Sequence, residues 1–155
     1  MKGEIDFREK TKEHPVLYDG HVLHACRDTV ILPNGKEGIR EYCMHDGAVA
    51  IVPLSAKHEI MCVRQYRYAL GRCTLEIPAG KLNSPQEDPL DAAKRELQEE
   101  TGFFTENIRS IGKIHTSPAL LTETIHLYLA QELISGQSHP DEDEFLEVVS
   151  FPLES

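Results

Sequence analysis

The apolar positions of this chain change period twice, and the changes divide it into strands, one helix and strands again. Residues 15–32 carry the short-range alternation of two strands paired as a hairpin, and Leu32-Pro33-Asn34-Gly35 follows as a tight turn with Asn-Gly at its tip. Residues 39–43 return from that turn. Residues 48–53 and 59–66 are apolar enough for two core strands, joined by the polar turn Ser55-Ala56-Lys57-His58. A short strand is predicted over residues 75–78. Beyond the helix, strands are predicted over residues 108–115, 124–133 and 147–151, with a polar acidic loop over 135–144.

The helix between these groups is punctuated at both ends. Asp88 is placed to cap it, Pro89 occupies the first helical position, Asp91 lies in the first turn and Gly102 stands just past the end. Leu90, Ala93 and Leu97 fall on one stripe that predicts packing into the core. Beside that stripe, Glu96, Glu99 and Glu100 stand at i, i+3 and i+4, so three carboxylates share one face. Like charges at that spacing repel, and no lysine is interleaved among them. A hard divalent cation such as Mg²⁺, Mn²⁺ or Ca²⁺ is the economical explanation, because such ions prefer clustered carboxylate oxygens. A solvated acidic helix is the plain alternative.

Length adds that one domain with a real core is expected, since the chain has 155 residues. A formal net charge of −10 argues against nucleic acid or an anionic membrane as a partner. Nothing in the sequence approaches a membrane span or an apolar signal core, so a cytoplasmic location is expected. Cys26, Cys43, Cys62 and Cys73 form no close pair and are expected as reduced, mostly buried thiols. The histidines show no ligand spacing: His21, His24, His58 and His139 read as surface residues, and His115 and His126 as structural.

Taken together, Glu87, Arg95, Glu96, Leu97, Glu99, Glu100, Gly102 and Phe103 resemble the signature of the Nudix hydrolases, with seven residues between Glu87 and Arg95. Gly80 departs from it, standing one residue further ahead of Glu87 than the family pattern has it. The turn-prone Asn83-Ser84-Pro85 can absorb the extra residue without moving the helix. The resemblance implies an α+β fold in which a mixed β-sheet is sandwiched by helices, with the motif as a loop-helix-loop. It further implies an early stop where relatives close with a C-terminal helix. Residues 1–45 are expected as N-terminal strands, exchanged across a homodimer, and residues 46–155 as the catalytic core.

Outside the motif, Arg64-Gln65-Tyr66-Arg67 followed by Glu76-Ile77-Pro78-Ala79-Gly80 is similar to the ADP-ribose pyrophosphatase and nucleoside-diphosphate-sugar hydrolase branch. Ser117-Pro118 follows Phe103 at that branch's distance, with Ala119 where relatives often carry glycine. The resemblance assigns Glu96, Glu100 and the Ala79 carbonyl as ligands of Mg²⁺, or of Mn²⁺. Glu99 is either a further ligand or an organiser of its neighbours, as Arg95 is. Glu123 is the candidate base and Glu99 its rival; Glu123 could instead only bind metal. Arg67 would hold the substrate phosphates. Arg40 would reach them from a partner subunit, unless it is a surface charge paired to Glu41 or Glu37. Ser117 and Pro118 would line the substrate. The implied reaction is metal-dependent hydrolysis of ADP-ribose to AMP and ribose 5-phosphate. Alternatives are another Nudix substrate (a GDP-sugar, ADP-glucose or a dinucleoside polyphosphate), or a non-catalytic ligand sensor on the same fold.

Overall fold

A computed structural model describes residues 6–139 and 145–153, and the chain divides into two compact units: residues 1–45 with 116–123, and residues 46–115 with 124–155.

The first unit is a sheet built around one strand. Its strands are β1 (Lys10–Glu13), β2 (Val16–Asp19), β3 (His24–Ile31) and β4 (Glu37–Met44). β4 pairs antiparallel along one edge of β3, while β1 and β2 share the other edge end to end. Pro15 stands at the break between them, where its missing N–H removes a ladder donor; its carbonyl accepts from Arg27 N at 3.1 Å. The expected hairpin is therefore β2–β3, and the Asn34-Gly35 turn leads into β4 with Gly35 N–H donating to Leu32 O at 2.8 Å. β1 was not foreseen. Its sequence KTKE is polar and exposed throughout, so only the ladder to β3 reveals it.

Cys26, Asp28 and Val30 alternate inward from β3 and are buried. A buried carboxylate needs partners, and Asp28 has two: His14 Nδ1 at 2.6 Å and the Tyr42 hydroxyl, which donates at 3.2 Å. Residues 120–122 lie along β4, with Cys43 N donating to Leu120 O at 2.8 Å and Thr122 N to Cys43 O at 3.1 Å.

The second unit contains β5 (Ala48–Pro53), β6 (Glu59–Arg67), β7 (Arg72–Glu76), β8 (Ala79–Lys81), α1 (Pro89–Thr101), β9 (Phe103–Phe104), β10 (Ile108–His115), β11 (Thr124–Ala130), β12 (Ile134–Ser135) and β13 (Leu146–Pro152). One sheet runs β10-β11-β5-β8 and is mixed, because β11 and β5 are parallel and the other pairs antiparallel. A second, antiparallel sheet runs β13-β6-β7, and β9 pairs with β12. Among the described residues α1 is the single α-helix, where helices on both sides of the sheet were expected. The acidic loop of residues 135–144 begins with Ser135 in β12, and residues 140–144 lie outside the described residues.

α1 is capped as the sequence implies. Asp88 Oδ1 accepts from Leu90 N at 2.7 Å, and Gly102, at φ +73°, returns its N–H to Gln98 O at 2.8 Å. Ala92, Ala93 and Leu97 face Val49, Ile51, Leu82, Tyr128 and Ala130 in one buried cluster, with Leu90 packed at its margin. Fully burying a side chain such as Leu97 or Ile51 contributes about 1.5–3 kcal/mol. The helix is thereby held against β5 and β8, and its carboxylate face is fixed relative to the strand that begins at Ala79.

Of the thiols, Cys26 is buried, Cys43 and Cys62 are half-buried and Cys73 is exposed; all four are free. Burial pushes the Cys26 and Cys62 thiols up, away from the reactive thiolate. No helix among the described residues is long and apolar enough to cross a membrane.

Candidate metal and phosphate site

Glu96 and Glu100 are buried, at 8% and 2% exposure, which is unusual for carboxylates on a helix of this length. Burial follows from their place beside the core stripe: each is one turn or less from Leu97, Ala93 or Thr101, and all face β8. Ala79 N–H donates to Glu100 Oε2 at 3.0 Å. The Glu96 carboxyl lies so close over Gly80 that an added Cβ there would sit 2.0 Å from its Cδ. Only glycine leaves this cradle open.

Arg95 gathers the remaining charge. Its Nη1 donates to Glu96 Oε1 at 2.7 Å and to Glu99 Oε2 at 3.0 Å, while Nε and Nη2 reach Glu87 Oε1 at 3.3 Å each and Nη2 also reaches the Lys81 carbonyl at 3.3 Å. Burial pulls the Arg95 pKa down, but the hydrogen bond and charge of Glu96 with those of Glu99 and Glu87 outweigh it, and the net shift is upward. Glu87 is anchored in turn by the backbone N–H of Asn83, which with Arg95 holds its carboxyl below the usual range. The loop ahead of the helix holds a turn closed by Glu87 N–H to Ser84 O at 3.1 Å.

Among the described residues no three Asp, Glu, His or Cys side chains converge on one point in this arrangement. The reason is local: Arg95 draws Glu96 and Glu99 to one side, and Glu100 accepts from Ala79. The donor chemistry nevertheless fits a hard divalent cation, since the side chains Glu96, Glu99 and Glu100 offer carboxylate oxygens, and two of these three carboxylates are buried beside a strand with no Cβ at Gly80.

Arg67 ends β6, and its Nε and Nη2 donate to the two oxygens of Glu76 at 3.0 and 2.6 Å, a bidentate fork. The Thr74 hydroxyl donates to Glu76 Oε1 as well, at 2.5 Å. Arg67, against the opposing effect of burial and aided by Thr74, holds the Glu76 carboxyl below its usual range. Sequence reading singled out Arg67 but not these partners. Their signal was the alternation Thr74, Glu76 on a strand facing Gln65 and Val63.

The other predicted residues belong to the first unit. Glu123 accepts from the Thr116 hydroxyl, at 2.5 Å, and its Oε1 lies 3.6 Å from His45 Nε2. Ser117 lines an apolar cavity of about 430 Å³ with Leu17, Cys26, Tyr42, Leu120 and Leu121, and Pro118 is exposed beside it. Arg40 pairs with Glu9, its Nε donating to Oε2 at 2.9 Å, and not with Glu41 or Glu37, which take Arg27 and Lys12. Phe7 and Tyr18, two aromatic residues of this unit, are exposed.

Residues 44–155 match the NUDIX domain. The chain belongs to the Nudix family. An ADP-ribose pyrophosphatase of Bacillus subtilis is 40% identical to this Nudix chain over 148 residues, covering 94% of it and 80% of the relative. A methanol dehydrogenase activator of Bacillus methanolicus is also 40% identical, over 150 residues, covering 96% and 80%. Among solved structures, an ADP compounds hydrolase superposes with a TM-score of 0.82 at 23% identity, covering 94% of this chain and 79% of its own. That likeness supports the fold, an α+β arrangement with a mixed sheet.

Proposed function

We propose that this Nudix hydrolase cleaves the pyrophosphate bond of a nucleoside diphosphate sugar, with ADP-ribose as substrate and AMP and ribose 5-phosphate as products. The observation that carries the reading is the acidic face of α1, with Glu96 lying over Gly80 and Glu100 accepting from the Ala79 N–H. The 40% identity to an ADP-ribose pyrophosphatase supports the choice of substrate.

In this reading Glu96, Glu100 and the Ala79 carbonyl hold Mg²⁺, for which Mn²⁺ can substitute, and Glu99 either joins them or orients them. The bound cation supplies charge neutralisation at phosphorus and a more acidic water. Arg95 holds the Glu96 and Glu99 carboxylates in fixed direction. Arg67, oriented by Glu76, grips the diphosphate against the field of an acidic protein. Arg40 does so from the second copy of a homodimer, exchanging Glu9 for the substrate. Glu123 is the general base, positioned by Thr116 with His45 beside it, and Glu99 is its rival. Ser117 and Pro118 shape the loop that meets the substrate. The protein acts in the cytoplasm.

Phosphate release coupled to a phosphatase, over ADP-ribose, ADP-glucose, GDP-mannose and diadenosine polyphosphates with Mg²⁺, tests the reading. Preference for ADP-ribose, abolished in Glu100→Gln, is expected. Preference for another compound keeps the acidic face and removes the substrate assignment. Absence of metal-dependent turnover favours a ligand sensor. Glu123→Gln and Glu99→Gln, compared by pH profile, separate the two candidate bases, and sedimentation equilibrium tests the dimer. The equal identity to a methanol dehydrogenase activator supports a second role, checked by adding the protein to a methanol dehydrogenase and following its rate.

A further inference from the structure

The β6–β7 hairpin ends on two arginines. Arg67 and Arg72 are direct partners across the antiparallel pair, and residues so placed project from one face with Cβ atoms roughly 5 Å apart. Val63 opposite Glu76 and Gln65 opposite Thr74 continue the same face. Like charges directly opposite each other destabilise a sheet, which makes the pair unexpected in a chain of net charge −10, where acidic partners are plentiful. Glu76 neutralises Arg67 through the Nε and Nη2 edge. Arg72 is exposed, and its guanidinium makes no hydrogen bond or ion pair among the described residues.

We propose that Arg72 and Arg67 together form an oxyanion site that receives a phosphoryl group of the substrate. Arg67 is the guanidinium already oriented, and Arg72 contributes the net positive charge; Glu76 and Thr74 are positioning residues that keep the first from swinging away. The inference deepens the reading above and rests on it, because Arg67 is there the residue that meets the phosphates. Ala79 lies three positions after Glu76, roughly 10 Å of extended chain. A substrate lying along this strand therefore meets the carboxylate face and the arginine pair together.

Calorimetric titration with inorganic pyrophosphate, at low salt and with a chelator present, reports the arginines without a metal. Arg72→Gln is expected to weaken binding about tenfold, the scale of one charged hydrogen bond, while its thermal midpoint stays level or rises because a like-charge contact is gone. Arg64→Gln is the control: Arg64 lies on the opposite face of β6 and pairs with Glu147. It should change affinity less than twofold. Unchanged affinity in Arg72→Gln, or a loss that Arg64→Gln shares, overturns the proposal. In turnover Arg72→Gln should raise KM about tenfold with kcat within twofold, and a fall in kcat at unchanged KM overturns the binding role. If the wild type hydrolyses no nucleoside diphosphate sugar, the proposed function fails while the calorimetry still decides the arginine pair.

Discussion

The backbone N–H of Ala79 donates to the Glu100 carboxylate at 3.0 Å across 21 residues of sequence, and this bond ties the last turn of α1 to the first residue of β8. Glu100 is at once a structural acceptor and the most buried carboxylate of the acidic face.

That double duty separates two substitutions. Glu100→Gln keeps an acceptor for Ala79 and removes the charge, so turnover should fall at least a hundredfold with stability changed by less than about 1 kcal/mol. Glu100→Ala also leaves a buried N–H unpaired and should lose a further 1–3 kcal/mol or so. Coupled phosphate release and urea unfolding, run on both variants, distinguish charge from scaffold.

Gly80→Ala places a Cβ 2.0 Å from the Glu96 carboxyl carbon. Glu96 must leave its position, because the helix is anchored in the core and cannot retreat. Stability should drop by about 1–3 kcal/mol, as for other overpacked sites, and turnover should fall more steeply than stability. A Gly80→Ala protein with wild-type kcat would show that Glu96 does not need its place over β8.

Arg95→Gln removes the cation shared by Glu96, Glu99 and Glu87. Hydrogen bonds to charged groups contribute about 1.5–3 kcal/mol each when buried; with Arg95 part-exposed, a net loss of about 2 kcal/mol is expected. Arg95→Lys should recover little, since an ammonium cannot span Glu87 on one edge and Glu96 with Glu99 on the other. Chemical denaturation at pH 7 measures both.

Two carboxyls of the second unit contribute to the acid limit. Glu76, held down by Arg67, and Glu87, held down by the Asn83 N–H and then Arg95, both lie below the ordinary 4.5. A carboxyl whose pKa is lower folded than unfolded binds fewer protons when folded, so its contribution is fully present above the ordinary value and is lost as pH falls through the folded one. The thermal midpoint should therefore be insensitive to these groups from pH 7 down to about 5, then fall below about pH 4. Glu76→Gln should show a shallower decline on the acid side, and an unchanged slope would remove Glu76 from the account.

Local rules made much of this protein legible. Asp88, Pro89 and Gly102 mark the helix ends because capping depends on residues within one turn, and the i, i+3, i+4 spacing of Glu96, Glu99 and Glu100 places them on one face whatever surrounds the helix. The strand over residues 48–53 was equally clear, since an apolar run reports burial directly. β1 was not, because KTKE buries nothing and pairs only through its backbone. Arg40 meeting Glu9, and Arg67 meeting Glu76, were invisible for a related reason: long charged side chains reach several residues in any direction, so sequence neighbours such as Glu41 do not predict the partner.

The sequence by itself determined the helix, its caps, its acidic face and the family, because each is a pattern of fixed spacing along the chain. Only the tertiary structure decided that Glu96 lies over Gly80, that Glu100 takes the Ala79 N–H, and that residues 116–123 belong with the first unit while Arg67 and Arg72 close a hairpin in the second. Those relations depend on strand pairing and side-chain reach between distant positions, and the free energy that selects them comes from burial and register, which no local spacing encodes.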